Sequence, residues 1–282
     1  MINRDRRITL HLATKDRPSE VGMLLESLRH QTIQDWDLII VDDGSKQPLN
    51  SIYFINYLMQ RLKLEKHDVK IIRNNISGGC CKARNLCIEH DKFENMFTCR
   101  LDDDTVLNED YFEKLLEVID DGYDIASGVV PLMVYPEHKR KITAAGDIIN
   151  EHKLDTEGNL ISNADDCGYC YTENKIIPTH QFRTSALYKS KIHEKVKYPT
   201  FISSVAFREE GFFSFKAILA GYKIGVHTGA ICYHFQTPSG GNRRVDYADC
   251  VKQDDESFKK WVKRQFEKHG DFLANYNEVV LK

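Results

Sequence analysis

The chain has 282 residues, a formal net charge of −3 and 41% hydrophobic residues, enough to bury one sizeable core. A charge this close to zero lacks the broad positive field on which binding to nucleic acids or anionic membranes usually depends, so a polyanionic partner is not expected. No apolar run reaches the roughly 20 residues that span a bilayer, so we expect a cytoplasmic protein, or at most one peripheral to a membrane.

Strand-like and helix-like patterns alternate over the first 130 residues. Short runs rich in Ile, Leu and Val predict strands, and apolar residues at intervals of three and four predict amphipathic helices. The predicted strands are residues 8–13, 38–41, 69–72 and 96–101, and the predicted helices are residues 18–28, 49–64, 80–90 and 109–120. This alternation requires right-handed crossovers, and it therefore predicts an α/β fold with a mostly parallel sheet between two layers of helices.

Polar clusters follow three of these predicted strands. Residues 14–17 follow the first strand, residues 42–45 the second and residues 102–104 the fourth. Ligands of such sheets bind beyond the carboxyl ends of the strands. The three clusters, although far apart in sequence, are therefore predicted to converge on one crevice.

The regular alternation weakens after residue 130. Residues 131–180 are rich in Gly, Asn and Asp, which indicates an inserted, loop-rich region with short strands. A helix at 209–220, a pair of strands at 222–227 and 230–235, and a last helix at 254–269 are predicted next. The apolar stripe of the last helix is typical of a helix that docks on its own core, and interfacial membrane attachment is the alternative.

Eight cysteines are scattered along the chain. Because no export signal is present, we expect reduced thiols. Cys167 and Cys170 have the spacing of a metal knuckle or a redox pair, but no second pair completes a four-ligand zinc site. We therefore interpret them as two unconnected thiols.

Three consecutive aspartates end the fourth predicted strand. On extended backbone, the side chains of Asp102 and Asp104 point to the same side, where they can grip a divalent cation that diphosphate oxygens also hold. Mg²⁺ and Mn²⁺ commonly bridge carboxylates and phosphate oxygens in this way. By themselves, three adjacent acids fit a solvated acidic turn better, because the chain contains 42 Asp and Glu residues.

The order of five motifs along the chain resembles that of the inverting glycosyltransferases of family 2, which have the GT-A fold. The motifs are ATKDRP at 13–18, VDDGS at 41–45, Gly79 with ARN at 83–85, LDDD at 101–104, and REE at 208–210 followed by GYKI at 221–224. The resemblance covers roughly residues 8–130 and 183–241. It is specific because the five motifs recur in one order.

The resemblance implies a Rossmann-like GT-A domain over residues 1–250, with a mostly parallel central sheet flanked by helices. Residues 1–130 would form its nucleotide-binding half, and residues 131–250 a loop-rich acceptor-side half that contains the catalytic helix. Residues 251–282 would form a C-terminal helical tail.

For the nucleotide, the resemblance implies a pocket lined by the residues that match the first four motifs. These residues are Thr14, Arg17, Asp42, Asp43, Arg84, Asp102 and Asp103. Asp42 would accept hydrogen bonds from the base, for which uracil fits best, and Asp102 would face the ribose. The alternative for Asp42 and Asp43 is a plain turn closed by aspartate side chains.

For the metal, the resemblance implies Asp104 as a ligand of Mn²⁺ or Mg²⁺. Some members of the family add a histidine after the last core strand, and His234 stands there. A lone histidine that is merely hydrogen-bonded is the alternative. The cation would act as a Lewis acid on the departing diphosphate.

For catalysis, the resemblance implies Glu210 as the general base and Glu209 as its partner, at the start of the helix that precedes Gly221. A carboxylate at a helix N-terminus is favoured by the helix dipole and stays ionised, as a base must. Ordinary acidic capping of a helix predicts the same residues. Two positions depart from the family pattern: Phe212 replaces a common further acid, and Ser77 replaces a common asparagine.

A basic loop that contains glycines, residues 237–244, follows His234. Its glycines would let the loop close, so that Arg243 or Arg244 contacts diphosphate oxygens. A solvent-exposed loop with ordinary surface charge is the equal alternative.

The predicted reaction is a single displacement in which a sugar passes from a nucleotide diphosphate donor, first of all a UDP-sugar, to a hydroxyl of a glycan or other acceptor. A rival is a phosphatase, because residues 102–106 also resemble the aspartyl nucleophile motif of haloacid-dehalogenase-like enzymes, with Asp102 and Asp104 as its acids. A further alternative is a sugar-nucleotide-binding protein without turnover. We expect specificity to lie in residues 131–205, and nothing in the sequence indicates the oligomeric state.

Overall fold

A nine-stranded sheet lies at the centre of the protein, in a computed structural model that describes residues 6–134, 139–140, 148–162, 166–242 and 245–282. The strands are β1 (Ile8–Thr14), β2 (Trp36–Asp43), β3 (Val69–Asn74), β4 (Phe97–Asp102), β5 (Thr105–Leu107), β6 (Ile125–Val129), β7 (Lys139–Arg140), β8 (His152–Leu154), β9 (Leu160–Ser162), β10 (Cys170–Tyr171), β11 (Ile176–Pro178), β12 (Ala186–Lys189) and β13 (Ile224–His234). The helices are α1 (Pro18–Arg29), α2 (Tyr53–Leu64), α3 (Cys80–His90), α4 (Tyr111–Asp120), α5 (Glu209–Leu219), α6 (Tyr247–His269) and α7 (Phe272–Val280).

The strand order is β11-β13-β6-β12-β4-β1-β2-β3, and β5 pairs with β13. β1 to β4 are mutually parallel, as are β6 and β13, whereas β12 is antiparallel to both β4 and β6. β8 and β9 form a separate antiparallel hairpin, and β7 pairs with β10. The predicted fold class, a mostly parallel sheet flanked by helices, is confirmed.

Alternate residues of β2 explain why helices cover both faces of the sheet. Leu38 and Ile40 pack with α1, α2 and α4, whereas Ile39 and Val41 pack with α3. All eight residues of β2 are buried, which is why the strand has no polar face in sequence. Each fully buried aliphatic side chain contributes about 1.5–3 kcal/mol to folding.

The C-terminal helices pack on α5 through aromatic side chains. The ring centroid of Phe258 on α6 lies 5.1 Å from that of Phe212 and 5.5 Å from that of Phe215, both on α5. The apolar stripe of α6 thus packs on the protein's own core. Within the described residues, no helix is both long and apolar enough to cross a membrane.

One element prediction is wrong. The sequence predicts two strands at 222–227 and 230–235, but the structure has the single strand β13, which pairs in parallel with β6. Gly229 lies where the register shifts, between His227 and Ile231, so an irregularity in one strand replaces the expected turn. Four further elements, β5, β6, β12 and α7, were not predicted, and α6 begins at Tyr247 rather than residue 254.

Candidate active site

The carboxyl ends of β1, β2 and β4 open onto a crevice with a volume of about 620 Å³, which the first turn of α5 closes on the other side. Parallel strands bring their carboxyl ends to one edge of the sheet, so residues far apart in sequence meet there. The predicted site residues that line the crevice are Thr14, Arg17, Asp43, Arg84, Asp102, Asp103, Asp104, Glu209, Glu210 and His234. Arg243 and Arg244 lie outside the described residues.

Asp42 and Asp43 are neighbours in β2 but point to different surroundings. The carboxylate of Asp42 accepts hydrogen bonds from the backbone N–H groups of Ser45 and Leu49 and from Arg73, and Asp42 is not among the residues that line the crevice. Asp43 lines the crevice, and its carboxylate accepts hydrogen bonds from the N–H groups of Gly78 and Gly79. Asp43 therefore fixes the loop that leads into α3.

A buried arginine, Arg100 on β4, connects the carboxylates at the centre of the site. Its guanidinium lies 2.8 Å from Glu209, 2.8 Å from Asp102 and 3.5 Å from Glu210. Arg84 on α3 also contacts Asp102, and lies 3.4 Å from Glu209. The side chain of Arg100 is only 1% exposed, so these charges interact with little screening by water.

Asp102 and Glu209 both contact Arg84 and Arg100, but their pKa values shift in opposite directions. Burial would raise the pKa of Asp102, but Arg100 and Arg84 outweigh burial and hold that pKa well below its usual range. For Glu209, burial prevails: it raises the pKa to about 7, with a further contribution from the charge of Glu210, although Arg100 and Arg84 oppose it. Asp102 is thus ionised throughout the physiological range, whereas Glu209 can hold a proton.

A third arginine, Arg17, holds the other two aspartates of the acidic motif. Its guanidinium lies 2.7 Å from Asp103 and 3.1 Å from Asp104. Thr14 donates a hydrogen bond to Asp103 at 2.8 Å. Burial raises the pKa of Asp103 to about 6 against the opposing charge of Arg17. The end of β1 and the end of β4 are thereby joined.

Asp104 and His234 supply the two predicted metal-ligand groups, and they face each other. Nε2 of His234 lies 3.1 Å from Oδ1 of Asp104. Two ligands at about 2.1 Å from one cation and at right angles to each other are about 3 Å apart, so this pair fits one octahedral cation. In the part of the chain that the structure describes, no cluster of three or more His, Cys, Asp and Glu side chains could hold a metal, so further ligands would come from substrate or water.

The loop after His234 packs on Arg17. Carbonyl groups of Thr237 and Ser239 accept hydrogen bonds from the Arg17 guanidinium, and the N–H of Gly241 donates to the carbonyl of Lys15. A Cβ atom on Gly240, whose φ is +69°, would lie 2.5 Å from Cγ of Arg17. The described part of the loop, up to residue 242, therefore closes against the crevice wall only because glycine leaves room.

Backbone strain is concentrated around the crevice. Residues other than glycine with positive φ flank it at Asp16, Thr184, Ala206, Arg208 and Gln236. Such conformations cost about 1–3 kcal/mol each and persist only where the surrounding structure holds them. Arg208, which directly precedes α5, is held by Asp255 of α6 at 2.8 Å, so α6 helps to set the direction of Glu209 and Glu210.

Reasoning from the sequence missed three residues of this region: Arg100, Ser162 and Gln181. A charged residue within the apolar run 97–101 was a signal for Arg100, because a central strand buries an arginine only with partners. Ser162 and Gln181 line the crevice. They lie in the loop-rich part of the chain, where no local pattern distinguishes them.

The sequence of this chain matches a known family and a known relative. Residues 9–181 match the family model described as Glycosyl transferase family 2. An "Uncharacterized glycosyltransferase" of Haemophilus influenzae (strain ATCC 51907 / DSM 11121 / KW20 / Rd) is 31% identical over 121 residues, which are 42% of this chain and 36% of the relative. The match therefore spans about a third of the length of that relative.

Solved structures resemble the whole described fold. S. aureus TarS 1-349 in complex with UDP gives a TM-score of 0.55 at 14% identity, covering 93% of this chain and 72% of the other. GalNAc-T7 with UDP, GalNAc and Mn²⁺ gives a TM-score of 0.63 at 12% identity, covering 96% of this chain and 54% of the other. A longer structure of S. aureus TarS gives 0.54 at 14% identity, covering 92% and 43%. At such identities the likeness is one of fold.

Proposed function

This chain belongs to glycosyl transferase family 2 and has the GT-A fold, and from that premise we propose that it transfers a sugar, with inversion, from a nucleoside diphosphate to a hydroxyl of a glycan or other acceptor. The observation that carries the proposal is the single crevice in which Arg17, Asp104 and Glu210 meet. The UDP named in the structures of TarS and GalNAc-T7 supports UDP as the nucleotide.

We assign the nucleotide to the sheet end of the crevice, where Thr14, Arg17, Asp43 and Arg84 lie. The predicted contact of Asp42 with the base remains part of the proposal, but it requires Arg73 to leave. The side chain of Arg73 is 31% exposed and that of Asp42 only 1%, so Arg73 is the partner that can move aside. A base N–H would then take its place as donor to Asp42.

A divalent cation would be held by Asp104 and His234, and when bound it supplies positive charge that stabilises the departing diphosphate. The donor set favours Mn²⁺ over Mg²⁺, because Mg²⁺ takes oxygen ligands almost exclusively. The Mn²⁺ named in the GalNAc-T7 structure supports the same choice. Arg17 contributes a fixed positive charge beside these groups, at 3.1 Å from Asp104.

Glu210 is the proposed general base. Both glutamates line the crevice, but the side chain of Glu210 is 21% exposed, whereas that of Glu209 is 4% exposed and closely paired with Arg100. A base must reach the acceptor, and of the two glutamates only Glu210 has that access. Its carboxylate takes the acceptor proton as the oxygen attacks the anomeric carbon, the bond to the diphosphate breaks, and Glu209 with Arg100 positions the turn.

The test is the variant Glu210→Gln, assayed for transfer from a panel of UDP-sugars and for UDP binding by calorimetry. Loss of general base catalysis should lower transfer about 10²–10⁴-fold, while the dissociation constant of UDP stays within about twofold. Glu278→Gln, on the exposed side of α7, is the matched control. Undiminished transfer by Glu210→Gln would refute the base assignment, and donor binding without transfer or hydrolysis by the wild type would favour a binding protein.

The phosphatase alternative is not retained. The family match does not support it, and its nucleophile, Asp102, is held by both Arg84 and Arg100. The cytoplasmic location, with peripheral membrane attachment as the alternative, is part of the proposal. Buried thiols such as Cys87, Cys99 and Cys232, which form no disulfide, support a reducing compartment.

A further inference from the structure

Two polar atoms in the wall of the crevice have no hydrogen-bond partner among the described residues. They are Oγ of Ser162 and Oε1 of Gln181, both buried at the atomic level, and both residues line the crevice. Gln181 is 7% exposed as a whole residue. Leaving such an atom without a partner is unfavourable, so atoms of this kind next to a cavity indicate a ligand that supplies the missing bond.

The surrounding packing fixes the side chain of Gln181 beside the start of α5. A Cβ atom on Gly211 would lie 2.9 Å from Oε1 of Gln181 and 2.8 Å from the ring of Phe258. Gly211 directly follows Glu210, the proposed base. The side-chain amide of Gln181 therefore lies beside the residue that follows the proposed base.

The β8–β9 hairpin supplies the second atom. Ser162 is directly opposite His152 in the register of the hairpin, and the ring of His152 packs on Phe215 with 5.1 Å between centroids. His152 is 1% exposed, and its ring interacts with the side chain of Gln181. The hairpin is thus docked on α5, and it holds Ser162 at the crevice wall.

The side chains of Ser162, Gln181 and His152 carry no charge at neutral pH. Burial, with smaller contributions from His180 and Arg208, lowers the pKa of His152 to about 3, so its ring is uncharged. An amide, a hydroxyl and a neutral imidazole suit neutral hydroxyl groups, and two arginines, Arg183 and Arg208, also line the crevice.

We infer that Gln181 and Ser162 form a subsite for the hydroxyl groups of a sugar next to Glu210. His152, opposite Ser162 in the hairpin, would hold Ser162 in place. The inference rests on the proposed function and deepens it, because it names residues that select the sugar. The sugar is either the one carried by the donor or the one that accepts it. Both present the same hydroxyl chemistry, and the experiment separates them.

The experiment compares wild type with Gln181→Ala, Gln181→Glu and Ser162→Ala. UDP, UDP-glucose, UDP-galactose and their N-acetylhexosamine counterparts are titrated by calorimetry with Mn²⁺, and p-nitrophenyl hexosides serve as acceptors. Gln60→Ala and Ser51→Ala, both on the exposed surface, are the matched controls. Gln181→Glu preserves size, so it separates loss of the amide from loss of packing.

If the subsite holds the donor sugar, Gln181→Ala and Ser162→Ala weaken binding of the preferred UDP-sugar about tenfold and slow its hydrolysis, while UDP binding stays within twofold. If it holds the acceptor, donor binding and hydrolysis are unchanged and the KM of the acceptor rises about tenfold. All three variants within twofold of wild type in both arms would overturn the inference and leave the proposed function intact. A wild type that binds neither UDP nor any UDP-sugar overturns the proposed function instead.

Discussion

Two groups of residues at the crevice are built in different ways. At the ends of the strands, the sheet end of the crevice, Arg17, Arg84 and Arg100 are already paired with Asp102, Asp103, Asp104 and Glu209. Ser162, which the β8–β9 hairpin supplies, and Gln181 are neutral, and each has a buried polar atom without a hydrogen-bond partner among the described residues.

The difference fits the ligands that we propose for each group of residues. A charged diphosphate and a cation need charges held at fixed distances, and a network of ion pairs on rigid strands provides them before the ligand arrives. A sugar is distinguished by neutral hydroxyl groups, and discrimination between them comes from buried polar groups that only the right ligand satisfies. The residues at the ends of the strands would then bind the diphosphate and the cation, which many nucleotide sugars have in common. The residues at the hairpin would discriminate between sugars.

The strongest test of the charged end is Arg100→Met. The substitution leaves Glu209 and Asp102 buried beside fewer positive charges, and loss of one partner of a buried ion pair costs about 3–5 kcal/mol. Urea unfolding should show this loss, whereas Arg264→Met, on the exposed face of α6, should stay within about 0.5 kcal/mol of wild type. An unfolding free energy for Arg100→Met close to that of wild type would mean that the ion pairs of Arg100 do not stabilise the fold.

A somewhat smaller effect is expected from pH. Glu209 has a pKa of about 7 in the folded chain, above the ordinary glutamate value of 4.5, so the folded state binds its proton more tightly. The contribution is present below pH 4.5 and is lost as the pH rises through 7, by about 3 kcal/mol at most. Unfolding free energies at pH 5 and pH 8 should therefore differ less for Glu209→Gln than for wild type; an identical difference in both would contradict the assignment.

The smallest of the three effects concerns the proposed metal site, formed by Asp104 and His234. Asp104→Ala should remove the increase in UDP affinity that Mn²⁺ gives, about 10–100-fold, because His234 is then left as the single protein ligand. Calorimetric titration of UDP with Mn²⁺ and with EDTA measures it, and Asp121→Ala, exposed after α4, is the control. A metal titration that is the same for Asp104→Ala and wild type would count against the ligand role.

Much of the fold could be predicted from the sequence because its signals are local. Periodicity fixed the existence of β1 to β4 and α1 to α4, since each strand or helix buries a face that its own spacing defines. The irregularity in β13 was not predictable, because a glycine between two apolar runs suits a turn and a strand irregularity equally well. Parallel pairing with β6, about a hundred residues earlier in the chain, decided between them.

The sequence by itself determined the family, the mostly parallel sheet and the convergence of acidic and basic residues at one edge. These follow from short motifs and from the rule that parallel strands end together. Only the tertiary structure decided that Asp43 rather than Asp42 lines the crevice, that Arg100 joins β4 to α5, and that the β8–β9 hairpin brings Ser162 to the crevice that Gln181 also lines. The first two depend on side chains that meet across 31 and 109 residues of chain, and burial and charge pairing settle such contacts only when the whole core has packed.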